Sequence, residues 1–143
     1  MKLFNYVKPQ LEAYFQVEQS FKESKLDQRY FELIKIRATQ LNGCAFCLNM
    51  HTVDAMKNGE TAQRIFLLDA WRDSDLFTEK EQIVLELTEA ITYIEHFNDD
   101  LYERAHQHFT EQEYALLLVA IAQINLWNRL NIGIKQEVNK NYK

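Results

Sequence analysis

Glycine and proline, the residues that punctuate tight turns, are scarce in this chain, which has three glycines and one proline among 143 residues. A sheet of many strands needs such residues to reverse the chain, so a many-stranded fold is disfavoured. Leu, Glu, Gln, Lys and Ala are abundant and favour helix. We therefore expect an all-α protein, and the length predicts one helical domain over residues 1–143.

Helix start and stop signals divide the chain into six or seven helices. Two capping boxes, Thr78-x-x-Glu81 and Thr110-x-x-Glu113, mark the clearest starts. We expect helices over about residues 9–23, 27–41, 45–57, 60–71, 78–94, from 98 or 99 onwards, and 110–130. The run 69–75 also has the composition of a loop, with Trp71 anchored in the core.

The last predicted helix is apolar on nearly every side over residues 114–122. A helix of this kind is normally buried all round. In a chain of this size, packing against another subunit is one way to cover it. We therefore expect a homo-oligomer, and we expect the segment 127–129 to serve packing and polar contact between subunits.

Charge and hydropathy patterning exclude several classes of function. The formal net charge of −5 gives no support to nucleic-acid binding and opposes binding to anionic membranes. The N-terminus has no long apolar run, so no signal peptide is expected, and no uninterrupted apolar stretch approaches about 18 residues. These patterns predict a cytoplasmic protein, and in that compartment a close cysteine pair is more often catalytic than structural.

Both cysteines lie in one short motif with a histidine after them: Cys44, Cys47 and His51. The motif opens a predicted helix, where unpaired N–H groups and the helix dipole stabilise a thiolate. Three residues along a helix separate Cα atoms by roughly 5 Å, which suits a disulfide. His51 lies one turn after Cys47, so it can exchange protons with Cys47 directly and with Cys44 only through another group.

Other interpretations of the cysteine pair are weaker. Two free cysteines on a helix can be small buried apolar residues. A structural zinc site usually needs four ligands, and the remaining histidines, His96, His106 and His108, lie far downstream, which leaves a Cys-Cys-His site completed by a carboxylate as the zinc alternative. A structural disulfide across so short a loop would stabilise little. Redox chemistry by the cysteines is the favoured interpretation, and it requires no haem, flavin or metal.

Glu32 is a candidate third member of the site. A short connection makes its helix an antiparallel neighbour of the cysteine helix. A glutamate there could orient His51 or pass protons to it through water. Spacing alone nevertheless favours a solvated carboxylate on the helix surface.

The spacing Glu32-x11-Cys44-x2-Cys47-x3-His51 resembles the signature of the AhpD-like alkyl hydroperoxidases in the carboxymuconolactone decarboxylase superfamily. The segments 32–44, 71–74, 78–81 and 124–131 also resemble that family. The resemblance implies an all-α fold with the Cys-x-x-Cys motif at the start of a central helix. It also implies assembly into trimers or hexamers and an antioxidant activity.

Carried over residue by residue, the resemblance makes Cys44 and Cys47 the redox pair and His51 with Glu32 the proton relay. It thereby reverses the interpretation of Glu32 as a surface carboxylate. Founding members have a histidine between the cysteines where this chain has Phe46. Phenylalanine cannot act as a cation that depresses the thiol pKa, so reactivity here is expected to be lower, or tuned to an apolar peroxide or a different reductant.

The sequence therefore predicts a thiol-dependent peroxidase of the alkyl hydroperoxide reductase type. Its partners would be a small peroxide and a dithiol or protein reductant such as a peroxiredoxin. One alternative is a dithiol–disulfide reductase of a partner peroxiredoxin with little peroxidase activity. Another is a redox-sensing or zinc-binding oligomer without catalysis.

Overall fold

A computed structural model describes residues 1–143 and contains seven α-helices and no strand, which confirms the all-α prediction. The helices are α1 (Lys8–Glu23), α2 (Gln28–Asn42), α3 (Ala45–Lys57), α4 (Ala62–Leu67), α5 (Glu79–Tyr93), α6 (Asp99–His108) and α7 (Glu111–Gly133). Two 3-10 helices, Leu3–Asn5 and Leu68–Asp73, complete the regular structure.

Local capping chemistry explains most of the helix starts. The two predicted capping boxes are both formed, with Thr78 and Thr110 each accepting a hydrogen bond from the amide of the glutamate three residues later. Asp27 caps α2 by accepting from the amide of Arg29. These three helices begin within a residue or two of their predicted starts.

The prediction of one helix over 60–71, and of a loop over 69–75, is wrong. Thr61 accepts from the amide of Arg64 and starts α4, which ends at Leu67. A 3-10 helix follows, and its backbone departs from helical geometry at Ala70. This change of direction turns Trp71 into the core, as expected, where its indole N–H donates to Glu89 at 2.8 Å.

Helix α2 lies at the centre of the molecule and contacts α1, α3, α5 and α7. Its two buried faces join two apolar clusters. Ile34 belongs to the larger cluster, formed mainly with α5, α6 and α7, and Ile36 to the smaller one, formed with α3 and the Trp71 segment. Both isoleucines are fully buried, and each contributes about 1.5–3 kcal/mol to stability. The face of α2 that carries Glu32 is thereby fixed against α3.

Helix α7 is the one helix whose length and composition would allow it to span a membrane. It packs against α1, α2, α3, α5 and α6, as the core helix of a helical bundle does. Ala115, Val119 and Ala122 are exposed, so the single chain alone does not bury α7 on every side. One apolar stripe of α7 is therefore left uncovered in the single chain.

Candidate active site

The Cys44–Cys47 pair occupies the first turn of α3. Gly43 ends α2 in the left-handed conformation, at φ 70°, so that α3 can begin immediately at its N-cap, Cys44. The two cysteines are joined by a disulfide with a Cα–Cα distance of 5.4 Å, close to the separation that their spacing predicts. Cys44 is 3% exposed and Cys47 1% exposed, so access to either sulfur is narrow.

His51 lies one turn after Cys47 on α3 and is partly buried. Its imidazole makes no hydrogen bond within the chain. Burial and, to a smaller extent, the positive charge of Lys35 lower the pKa of His51, Asp54 acts in the opposite direction, and the resulting pKa is about 4. At neutral pH the imidazole is therefore uncharged and able to accept a proton.

Glu32 is partly buried on the face of α2 that meets α3, so the interpretation of it as a solvated surface carboxylate is wrong. Its Oε1 accepts a hydrogen bond from Asn58 Nδ2 at 3.3 Å. Its Oε2 is buried without a hydrogen-bond partner. Burial raises the pKa of Glu32, while Lys35 and Asn58 act in the opposite direction.

The side chain of His51 lines two cavities. One, of about 340 Å³, is polar and is lined by Glu32, Lys35, His51, Asp54 and Asn58 among others. The other, of about 350 Å³, is mainly apolar and is lined by Phe15, Glu18, Phe46, Cys47, Met50, His51, Trp127 and Asn131. The imidazole thus borders both the space that Glu32 faces and the space that Cys47 faces. Glu32 and His51 do not hydrogen-bond each other directly.

Asn131 and Trp127 are site residues that the sequence analysis did not identify. Asn131 Nδ2 donates to Cys47 Sγ at 3.6 Å, and Trp127 stacks on Phe15 with ring centroids 5.1 Å apart. The assignment of Trp127 to packing and contact between subunits is incomplete, because its ring lines the cavity of Cys47. The available signal was the four-residue spacing that puts Trp127 and Asn131 on one face of α7.

Polar contacts between α2 and α7 hold the end of α2 beside the cysteine turn. Asn128 is fully buried and donates to Thr39 at 3.0 Å, while Asn42 donates to Asn125 and to Asn128, both at 2.9 Å. Because Asn42 immediately precedes Gly43, this network fixes the point from which α3 starts. Asn128 therefore has a role within the chain rather than between subunits.

No group of three or more His, Cys, Asp and Glu side chains is arranged to hold a metal ion. The chemistry that the site itself offers is a dithiol or disulfide, a neutral imidazole beside it, and a buried carboxyl group beyond the imidazole.

These features fit one family of helical proteins, and the chain belongs to the carboxymuconolactone decarboxylase family, whose model matches residues 9–90. The match includes α1 to α3 with the cysteine motif and most of α5. The family is named for an enzyme, and the fold of this chain is AhpD-like.

Relatives in sequence and structure agree with this assignment. The chain is 47% identical over 120 residues to YdfG of Bacillus subtilis, an uncharacterized protein, with 82% of each chain covered. Its structure matches that of ATU0492 of Agrobacterium tumefaciens, a protein of unknown function considered a candidate antioxidant defence protein AhpD. That match has a TM-score of 0.91 and 33% identity over 97% of both chains.

A more distant solved structure shows the same fold. It is an uncharacterized peroxidase-related protein from Silicibacter sp. TM1040, with a TM-score of 0.86 and 16% identity. The match covers 98% of this chain and 75% of that protein.

Proposed function

We propose that this protein is a thiol-dependent peroxidase that reduces organic hydroperoxides with the Cys44–Cys47 pair. The observation that carries the proposal is that Cys47 and His51 line one apolar cavity, with Cys44 at disulfide distance from Cys47. A small peroxide in that cavity would meet a thiol and its proton acceptor together.

The first step begins from the reduced protein. Neutral His51 accepts the thiol proton of Cys47, and the resulting thiolate attacks the terminal oxygen of the hydroperoxide. The O–O bond breaks, the sulfur keeps the OH group as a sulfenic acid, and the alkoxide leaves as an alcohol with the proton from His51. Two electrons have passed from the sulfur to the peroxide.

The second step closes the disulfide that the structure contains. The Cys44 thiol displaces hydroxide from the Cys47 sulfenic acid, and water leaves. An external dithiol then attacks the disulfide, forms a mixed disulfide and leaves oxidised, which restores both thiols. A cytoplasmic location, as the sequence predicts, would supply such reduced thiols.

Glu32 would supply and receive protons at the far side of His51. The two residues line the same polar cavity of about 340 Å³, which has room for a water molecule between them. Burial raises the pKa of Glu32, so this carboxyl group holds a proton more readily than an exposed glutamate does. This arrangement supports a relay from Glu32 through water to His51 and then to Cys47.

The lining of the cysteine cavity favours an apolar substrate. Phe15, Phe46, Met50 and Trp127 present mostly carbon to the space beside Cys47. Hydrogen peroxide gains nothing from such a surface, whereas the organic part of a larger hydroperoxide buries apolar area against it. We therefore expect an organic hydroperoxide to be reduced faster than hydrogen peroxide.

The test is peroxide consumption by the fully reduced protein, supplied with a recycling dithiol and assayed with hydrogen peroxide and with cumene hydroperoxide. Wild-type protein should turn over the organic substrate repeatedly, and Cys47→Ser should not. Assayed without the dithiol, Cys44→Ser should consume about one equivalent of peroxide and stop as a sulfenic acid, because no resolving thiol remains. Unchanged turnover by Cys47→Ser would remove Cys47 from the mechanism.

The alternative of a dithiol–disulfide reductase acting on a protein partner is less well supported. Both sulfurs are almost fully buried, so a disulfide on a protein surface could reach neither without movement of α1 or α7. A small peroxide or a slender dithiol can use the existing cavity. Rapid reduction of a peroxiredoxin disulfide, together with no peroxide turnover, would favour the alternative.

A further inference from the structure

The side chain of Asn131 is the one polar group that reaches a cysteine sulfur from another helix. It lies on the last turn of α7, is partly buried, and is 84 residues from Cys47 in sequence. We propose that Asn131 is a further catalytic residue of this site: its amide holds the Cys47 thiolate by a hydrogen bond and so makes Cys47, rather than Cys44, the attacking sulfur. The inference rests on the proposed peroxidase function.

The orientation of the Asn131 amide is determined by its other contact. Nδ2 lies 2.9 Å from the main-chain carbonyl oxygen of Trp127, and that oxygen can only accept. The atom placed there must therefore be the NH₂ group, which has a second hydrogen to donate. The contact between Nδ2 and Cys47 Sγ, at 3.6 Å, uses this second hydrogen.

The strength of this contact depends on the redox state of the cysteines. A disulfide sulfur is a weak acceptor, whereas a thiolate forms a charge-assisted hydrogen bond of about twice the strength of a neutral one. A donor that binds the charged form favours ionisation. Because Cys47 is almost fully buried, loss of solvent opposes its ionisation, and the Asn131 amide offsets that effect.

Cys44 has no equivalent donor among the side chains. It occupies the N-cap of α3, and its side chain makes no capping hydrogen bond. The helix dipole does favour a thiolate at Cys44, which makes it the competing candidate for the attacking cysteine. Cys47 differs in three ways: it lines the apolar cavity, it shares that cavity with His51, and it receives the Asn131 hydrogen bond.

The decisive experiment measures each thiol separately. In a Cys44→Ser background, the pH dependence of alkylation by iodoacetamide reports Cys47 alone, and a Cys47→Ser background reports Cys44. We expect Asn131→Leu to raise the midpoint for Cys47 by about one pH unit, with about tenfold slower alkylation below it. The midpoint for Cys44 should not change.

Two further variants separate the hydrogen bond from packing. Asn131→Asp keeps the size of the side chain and replaces the donor by a carboxylate, so the midpoint for Cys47 should rise at least as far as in Asn131→Leu. Asn49→Leu is a matched control, because Asn49 lies on α3 and donates to the carbonyl of Asn139 rather than to a sulfur. That control should leave both midpoints unchanged.

Peroxide turnover then connects the thiol measurement to catalysis. Asn131→Leu should be about tenfold slower than wild type at neutral pH and should recover as the pH rises and the thiolate forms without help. An unchanged Cys47 midpoint, or equal shifts at both cysteines, would overturn the role of Asn131. Alkylation tests the role of Asn131 whether or not the wild-type protein has peroxidase activity. Failure of this inference can therefore be told apart from failure of the proposed peroxidase function.

Discussion

His51 has a pKa of about 4 in the folded protein because burial and the nearby charge of Lys35 disfavour the protonated imidazole, more than Asp54 favours it. An unfolded histidine has a pKa of about 6.5, so between these values the unfolded state binds more protons than the folded state. The free energy of unfolding therefore has its full value, as far as His51 is concerned, above pH 6.5. It decreases as the pH falls toward 4. The full effect is about 3 kcal/mol.

We predict that His51→Gln loses less stability on acidification than wild type does. Urea denaturation of both oxidised proteins at pH 7 and pH 4.5 measures the difference, in which other titrating groups cancel to first order. Glu32 works in the opposite sense, since its raised pKa favours the folded state at lower pH, but it is present in both proteins. Equal losses would show that His51 is not buried as a neutral imidazole.

Glu32 illustrates a site residue that costs stability. Its carboxylate is partly buried, and one oxygen lacks a hydrogen-bond partner, so the charged form is disfavoured in the folded protein. We predict that Glu32→Gln leaves the free energy of unfolding at pH 7 unchanged or higher, while peroxide turnover falls at least tenfold because the proton relay is lost.

The measurement pairs thermal unfolding with the peroxide assay. Glu103→Gln provides the control, since Glu103 is exposed on α6 and should change neither quantity. A marked loss of stability in Glu32→Gln would mean that the carboxylate is structural, and the loss of activity would then say nothing about a relay.

At the scale of single elements, sequence reasoning succeeded where the deciding contacts are local. Thr78 and Thr110 cap their helices through residues three positions away, and Cys44, Cys47 and His51 are placed relative to one another by the geometry of α3 alone. Sequence reasoning failed after Leu67, where a 3-10 helix replaces the expected turn of α-helix. There the indole N–H of Trp71 donates a hydrogen bond to Glu89 on α5. That contact is not local, and no spacing rule reveals it.

The same distinction explains what was missed in the site. Asn131 contacts Cys47 across 84 residues, and only the packing of α7 on α3 brings them together. The burial of Glu32 likewise depends on how α2 and α3 meet, so spacing alone favoured a solvated carboxylate. The family resemblance supplied the interpretation of Glu32 that spacing could not.

The link between α2 and α3 offers a prediction about an element boundary. Gly43 has a φ of +70°, and a Cβ added there would meet nothing within 4 Å. Gly43→Ala should therefore lower the free energy of unfolding by about 1–2 kcal/mol through backbone strain alone. Gly133→Ala, where there is equal space and no positive φ, should be neutral or slightly stabilising. Chemical denaturation of the two variants tests this, and equal effects would contradict it.

At the scale of the whole molecule, the surface carries an apolar area that the single chain does not cover. It comprises the exposed stripe of α7, with Val119 47% exposed, and Ile94 at the end of α5, 88% exposed. A shallow cavity of about 560 Å³ lies between them, lined by Tyr14, Ile91, Ile94, Ala122, Leu126 and Leu130 among others. Contiguous apolar areas of this kind usually mark a contact with another molecule.

We predict that a second copy of the chain covers this area and that Val119→Glu separates the subunits, because burying an unpaired carboxylate at an apolar interface is costly. Light scattering after size-exclusion chromatography should give a multiple of 17.1 kDa for wild type and a smaller species for the variant. Gln107→Glu adds the same charge at an exposed position of α6 and should leave the assembly intact. A wild-type mass of one chain would contradict the prediction, and an assembly unaffected by Val119→Glu would place the interface elsewhere. Since Trp127 and Asn131 lie on the same helix as the stripe, retained peroxidase activity in a dissociated Val119→Glu would also show that one chain holds the complete site.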